Sequence, residues 1–191
     1  RKAYIIDAKR TPVGKARGLF SKTRADDLLV HAIQSVLKAS DSSEKINNSI
    51  DDIIVGCAMP EGPQGLNIAR IATLLAGLPD STPAYTLNRF CSSGLQSVSN
   101  AADLIKSGSS DLVIAAGVES MSSVPMTGFK PSMNPKILLD ENISIAYGMG
   151  LTAEKVVQKY GISREAQDQF AFESHQKAIK ANNNGLFENE I

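Results

Sequence analysis

The sequence predicts an α/β fold in which mostly parallel strands are covered by helices on both faces. Short apolar runs recur along the first part of the chain, segments with helical periodicity separate them, and few polar residues interrupt them. Such nearly unbroken runs are typical of parallel strands that are buried on both faces. We expect an α/β core over residues 1–118 and a separate helical lobe over residues 119–191.

Four strands are predicted from these runs, over residues 3–7, 52–58, 84–87 and 111–117. Four strands are fewer than the roughly five or six of an average sheet. We therefore expect the sheet to be incomplete within these 191 residues.

Helices are predicted between the strands, over residues 24–38, 67–76 and 91–107. In the first of them, apolar residues recur at the spacing of one helix face: Leu28, Leu29, Ala32, Ile33, Val36 and Leu37. The Ser- and Asn-rich stretch 40–49 is predicted to be a loop.

The helical lobe begins with an irregular stretch over residues 121–142, which contains three prolines and has no clear period. Two helices are predicted after it. The first covers about residues 152–159, and the second is capped by Ser163 and ends near residue 181.

The charge balance and the cysteine count limit the partners and the compartment. The 20 basic and 20 acidic residues cancel, so neither nucleic acid nor an anionic membrane is the expected main partner. No apolar run approaches the roughly 18 residues that would cross a bilayer. Two cysteines without a CxxC pattern, and two histidines far apart, predict free thiols in a cytoplasmic protein without a metal site.

The candidate chemistry lies where the third predicted strand ends, in the stretch Asn-Arg-Phe-Cys-Ser-Ser-Gly-Leu-Gln over residues 88–96. Cys91 falls where a helix is predicted to begin, and the helix dipole there favours a thiolate. Backbone N–H groups without intrahelical partners can face an oxyanion at the same place. The position suits covalent acyl transfer, and it equally suits a packed structural thiol. Cys57, inside the second predicted strand, is expected to be a core residue.

Residues 88–96 closely resemble the nucleophile motif of thiolases. Further blocks resemble the same family in the same order: 10–14, 117–122, 148–154 and 162–168. The resemblance covers the whole chain as the N-terminal half of a thiolase. It implies a thiolase-like layered fold, with an incomplete N-terminal core followed by part of the inserted loop domain.

The resemblance also implies a reaction. Cys91 would attack the 3-keto carbon of a 3-ketoacyl-CoA, release acetyl-CoA and pass the remaining acyl group to a second CoA; the reverse reaction condenses two acyl-CoAs. The Cys91 N–H would contribute to an oxyanion hole. CoA thioesters are then substrates, no cofactor is needed, and a homodimer or homotetramer is expected.

Other parts of the thiolase site are absent from these residues. The family's Asn-Glu-Ala-Phe loop, its Gly-His-Pro histidine and its Cys-x-Gly cysteine do not occur, and the chain ends about where the last strand of the N-terminal sheet would begin. His31 and His175 are expected to be ordinary helix residues. We therefore expect the chain to be inactive on its own.

Residues 148 and 149 bear on the kind of thiolase. Biosynthetic members tend to carry a histidine where this chain has Gly148, which favours a degradative 3-ketoacyl-CoA thiolase. Met149 matches the family and is a candidate to line the pantetheine channel, although plain packing also explains a methionine there.

Two other functions remain open from the sequence. A related condensing enzyme of the ketoacyl-synthase type shares the chemistry, although residues 88–96 and 148–154 favour a thiolase. A non-catalytic fragment or interaction module would keep the fold without turnover.

Overall fold

A computed structural model describes residues 1–39 and 44–191. The chain divides into two compact units, one formed by residues 1–130 with 190–191 and the other by residues 131–189. This division lies later in the chain than residue 118, and the predicted extent of the family's loop domain stays a prediction.

The first unit is built on a sheet of three parallel strands. They are β1 (Asp52–Gly56), β2 (Ala84–Leu87) and β3 (Val113–Gly117), in the order β2-β1-β3. Ile53 of β1 stands opposite Ala84 of β2 and Ile114 of β3, which fixes the register on both sides. The predicted α/β fold with parallel strands is confirmed, although β1 and β3 are shorter than their apolar runs.

Helices cover both faces of this sheet. The helices of the unit are α1 (Ala25–Ala39), α2 (Glu44–Asn47), α3 (Ile68–Leu75) and α4 (Ser93–Ser107). α1 and α3 pack with one face of β1 in the main apolar cluster, and α4 packs on β1 and β3 from the other side. The buried apolar side chains include Leu29, Ile33, Ile53, Val55, Ile68 and Ala72. Within the predicted loop 40–49, α2 forms one helical turn and residues 40–43 lie outside the described residues.

The predicted N-terminal strand over residues 3–7 is wrong. This segment pairs with no strand in the described part of the chain, and Tyr4, Ile5 and Ile6 are 72%, 80% and 74% exposed. The apolar run was typical of a buried strand, but a strand also needs a backbone partner. Both sides of β1 are occupied by β2 and β3, and in the described residues this segment does not pair with the outer edge of β2 or β3 either.

The second unit contains α5 (Met149–Tyr160) and α6 (Arg164–Asn183). The Ser163 Oγ accepts a hydrogen bond from the Ala166 N–H at 3.2 Å, which confirms the predicted helix start. Residues 121–142 form turns and one short 3₁₀ helix, Pro135–Leu138, as the irregular pattern predicted. Every residue from 131 to 189 is described and none is buried. In the described ranges, the structure contains no helix with the length and apolar character needed to cross a bilayer.

Candidate active site

Cys91 lies in a short 3₁₀ turn, Phe90–Ser92, between the end of β2 and the start of α4. Its side chain is exposed, and it is a free thiol. The predicted strand-to-helix junction is therefore present, but α4 begins at Ser93 rather than at the cysteine. The thiol precedes the first turn of a 15-residue helix, where the helix dipole is positive.

The start of α4 sits unusually close to the sheet. A Cβ added to Gly56 would lie 2.3 Å from the Ser93 carbonyl carbon and 2.5 Å from the Gly94 nitrogen. The buried Ser97 hydroxyl is 2.7 Å from the Gly94 carbonyl oxygen and 2.8 Å from that of Ala116 in β3. Gly56 in β1 thus lets the start of α4 pack closely on the sheet, and the Ser97 hydroxyl bonds α4 to β3.

Hydrogen bonds hold the turn around the cysteine in one conformation. The Asn88 Oδ1 accepts from the Phe90 N–H at 2.8 Å, and the Arg89 carbonyl accepts from the Ser92 N–H at 3.2 Å. The Ser93 Oγ accepts from the Arg89 N–H at 2.8 Å, and the Ser93 N–H donates to the Phe90 carbonyl. Phe90 has φ of +47°, a left-handed conformation that costs a non-glycine residue about 1–2 kcal/mol. The surrounding bonds therefore sustain a strained residue directly before the thiol.

Cys57 lies in a different environment. It follows β1, is only 1% exposed and belongs to the apolar core, as the sequence predicted. Burial, assisted by the negative charge of Glu119, raises the pKa of the Cys57 thiol to about 11. A buried thiol that keeps its proton is a poor nucleophile.

A polar cluster beside Cys57 joins the ends of β1 and β3. The Gln64 Nε2 donates to the Glu119 Oε1 at 2.6 Å and to the Met59 carbonyl at 2.8 Å, while the Gln64 Oε1 accepts from the Ser120 N–H. The Glu119 Oε2 accepts from the Ala58 N–H at 2.7 Å. The cluster is not predictable from local sequence patterns, because 55 positions separate its two side chains. The available signal was Glu119 itself, a carboxylate two residues after the predicted strand 111–117.

The remaining candidate residues lie apart from these two cysteines along the chain. Met149 is the first residue of α5, in the second unit, and is 69% exposed. Its predicted place at the pantetheine channel stays a prediction. His31 on α1 and His175 on α6 are both exposed helix residues.

The fold and the site together define an α/β protein with an exposed, candidate nucleophilic cysteine at the carboxyl edge of a parallel sheet. The family model described as "Thiolase, N-terminal domain" matches residues 3–191. The chain belongs to the thiolase family, as the sequence motifs predicted.

Curated relatives agree with the family model. The chain is 49% identical over 193 residues to a 3-ketoacyl-CoA thiolase of Bacillus subtilis (strain 168), covering 100% of this chain and 48% of that protein. It is 44% identical over 195 residues to a 3-ketoacyl-CoA thiolase of Enterobacter sp. (strain 638), covering 100% of this chain and 48% of the relative. The chain spans about half the length of the curated relatives it matches.

Proposed function

We propose that these residues form the nucleophile-bearing part of a thiolase-type acyltransferase, with Cys91 as the acyl acceptor. The observation that carries the proposal is the exposed thiol in the turn between β2 and α4. The relatives named 3-ketoacyl-CoA thiolase support 3-ketoacyl-CoA and CoA as the substrates. Gly148, at the position where biosynthetic members tend to carry a histidine, favours the degradative direction.

The proposed reaction has two acyl-transfer steps. The Cys91 thiolate attacks the 3-keto carbon, the bond between C2 and C3 breaks, and C2 takes up a proton so that acetyl-CoA leaves. The shortened acyl group remains on sulfur as a thioester. A second CoA gives up its thiol proton and attacks this thioester, which yields the shortened acyl-CoA and restores the Cys91 thiolate. No metal or redox cofactor enters either step.

The turn supports this chemistry in two ways. The positive end of the α4 dipole lies beside the turn and stabilises negative charge that develops there during acyl transfer. The N–H groups of Phe90, Ser92 and Ser93 donate to acceptors within the turn, and the Cys91 N–H is not among them. We assign the Cys91 N–H to the oxyanion hole that stabilises negative charge on the attacked carbonyl oxygen.

Proton transfer needs a base from outside these residues. His31 is exposed on α1 and His175 is exposed on α6, and neither is close to Cys91 in the sequence. We propose that the 191-residue chain alone does not catalyse thiolysis, and that the whole protein acts as a homodimer or homotetramer. Purified 1–191 chain that is folded by circular dichroism and still cleaves acetoacetyl-CoA would contradict the first of these proposals.

We also propose a cytoplasmic location. The two cysteines, Cys57 and Cys91, are free thiols, and reducing compartments keep thiols in this state.

Trapping the acyl-enzyme tests the proposed function. The complete natural protein is incubated with acetyl-CoA, quenched in acid, and analysed by intact mass and peptide mapping. We expect one acetyl group on the Cys91 peptide, the same label in Cys57→Ala, and none in Cys91→Ala. An acyl group on another residue, or full turnover by Cys91→Ala, would exclude Cys91 as the nucleophile; absence of any acyl-enzyme in the active wild type would favour a non-catalytic role for this region.

A further inference from the structure

We infer that Glu119 and Asn88 are positioning residues for Cys91, acting through hydrogen bonds that pass across the backbone of Ala58. The inference rests on the proposed function of Cys91 and concerns residues that themselves need not touch the substrate. It connects the polar cluster beside the buried cysteine with the turn that holds the exposed one.

The first link fixes the Glu119 carboxylate from two sides. Its Oε2 accepts from the Ala58 N–H at 2.7 Å, and its Oε1 accepts from the Gln64 Nε2 at 2.6 Å. Gln64 is fully buried, and its own amide is held by the Met59 carbonyl and the Ser120 N–H. Glu119 therefore holds the backbone of Ala58, just after β1, against the end of β3.

The second link runs from Ala58 to the turn. The Ala58 carbonyl accepts from the Asn88 Nδ2 at 2.9 Å, and the Oδ1 of the same amide accepts from the Phe90 N–H at 2.8 Å. A single asparagine side chain thus joins the segment after β1 to the residue that precedes Cys91.

The geometry of Phe90 explains why these bonds matter. A left-handed phenylalanine, at φ of +47°, relaxes to an ordinary conformation unless its surroundings hold it. Relaxation at Phe90 would rotate the next residue and redirect both its Sγ and its N–H. The hydrogen-bond chain from Glu119 through Asn88 therefore sets the direction of the nucleophile and of its oxyanion donor.

The substitution Glu119→Gln tests the first link with almost no change in size. Both carboxylate oxygens accept from N–H donors, whereas an amide has one oxygen and one NH₂ group. In either orientation of the new amide, an N–H group meets an N–H group. Glu61→Gln is the matched control, because the Glu61 Oε2 accepts from the Phe129 N–H at 2.7 Å in a bond that does not lead to Asn88.

Two substitutions test the second link. Asn88→Ala removes both bonds, whereas Asn88→Asp keeps an acceptor for Phe90 and loses the donor to Ala58. Asn134→Ala is the matched control, since the Asn134 Oδ1 also accepts from the N–H two residues ahead, that of Lys136 at 3.0 Å.

The variants are compared in the complete natural protein by acylation kinetics, by the pH profile of iodoacetamide alkylation at Cys91, and by melting temperature. We expect Glu119→Gln and Asn88→Ala to lower kcat for acylation about 10- to 100-fold with KM within about twofold, because small misplacements of a reacting atom are that costly. Their Cys91 alkylation profile should shift along the pH axis, with Asn88→Asp intermediate. The controls Glu61→Gln and Asn134→Ala should match the wild type.

Wild-type kcat and an unchanged alkylation profile in Glu119→Gln and Asn88→Asp would overturn the inference, even if their melting temperatures fell. If Asn88→Ala does not fold, the test rests on Glu119→Gln and Asn88→Asp. Cys91→Ala separates the two proposals: an active Cys91→Ala protein refutes the proposed function, whereas an inactive Cys91→Ala with wild-type behaviour in the positioning variants refutes only the positioning.

Discussion

The two cysteines occupy similar places in the fold and have opposite properties. Cys57 directly follows β1, and Cys91 lies four residues after β2, the neighbouring parallel strand; the Cys57 N–H even donates to the carbonyl of Leu87 at the end of β2. One thiol is enclosed in the core beside a carboxylate, and the other is exposed before a helix. A position at the carboxyl edge of a parallel sheet therefore does not by itself make a nucleophile. Burial and the nearby Glu119 carboxylate set Cys57 apart from the exposed Cys91.

The sharpest test of this difference is the alkylation rate of each thiol. At pH 8 only about a thousandth of Cys57 would be thiolate, given its pKa of about 11, and its burial slows attack further. We expect Cys91 to react with iodoacetamide at least about 100-fold faster than Cys57 in the folded complete protein. Peptide mass spectrometry over a time course measures both rates, and the opposite order would contradict the assignment.

Gly56 is next to both cysteine sites, because it directly precedes Cys57 and contacts the start of α4, which follows Cys91. A Cβ there would come within 2.3 Å of the Ser93 backbone, so Gly56→Ala should destabilise the protein by about 1–3 kcal/mol through overpacking. Gly94→Ala is the matched control, since its Cβ meets nothing within 4 Å and a helical alanine is favoured by about 1 kcal/mol. Urea unfolding measures both free energies. Equal stability of the two variants would show that the helix terminus can move away at little cost.

Alkaline unfolding tests the burial of Cys57. Because its folded pKa is raised from 9.0 to about 11, folding favours the protonated thiol. The stabilising contribution is complete below pH 9 and is lost as the pH rises from 9 to about 11. We expect wild type to lose more stability than Cys57→Ala over this window, as measured by urea unfolding at fixed pH values. Parallel curves for the two proteins would argue against a protonated, enclosed Cys57.

Met149 lies in the second unit and should give the smallest change in stability. Its side chain is 69% exposed, so Met149→Ala should alter the free energy of unfolding by no more than about 0.5 kcal/mol. If it lines the pantetheine channel, the same variant should raise KM for CoA thioesters a few fold without changing Cys91 alkylation. A large loss of stability would instead favour a packing role in the whole protein.

Local patterns predicted most of the elements around the site. The apolar run 52–58 indicated β1, because a strand that is buried on both faces has an almost continuous apolar sequence. The helical spacing over residues 24–38 indicated α1, because a helix that is buried on one face has apolar residues every three or four positions. The apolar run over residues 3–7 predicted a strand that the structure does not contain, because an apolar run does not show whether a neighbouring strand is there to pair with it. Likewise, the strand-to-helix junction at Cys91 was predictable, but the 3₁₀ turn and the left-handed Phe90 were not.

The polar links were beyond local prediction for a different reason. Gln64 and Glu119 meet only because β1 and β3 are neighbours, and Asn88 reaches Ala58 only because β1 and β2 are. Strand order depends on contacts between distant parts of the chain. The family resemblance suggested the proposed role of Cys91 but not the hydrogen bonds that hold its turn.

The close approach of α4 to Gly56 limits how this helix can dock on β1. Side chains alternate along a strand, so Ile54 points to the same side of β1 as Gly56. If α4 docked two residues nearer the start of β1, the Ile54 side chain would meet the Ser93 backbone where only hydrogen fits. Gly56 therefore favours the alignment of α4 on β1 in which the turn containing Cys91 follows directly from β2.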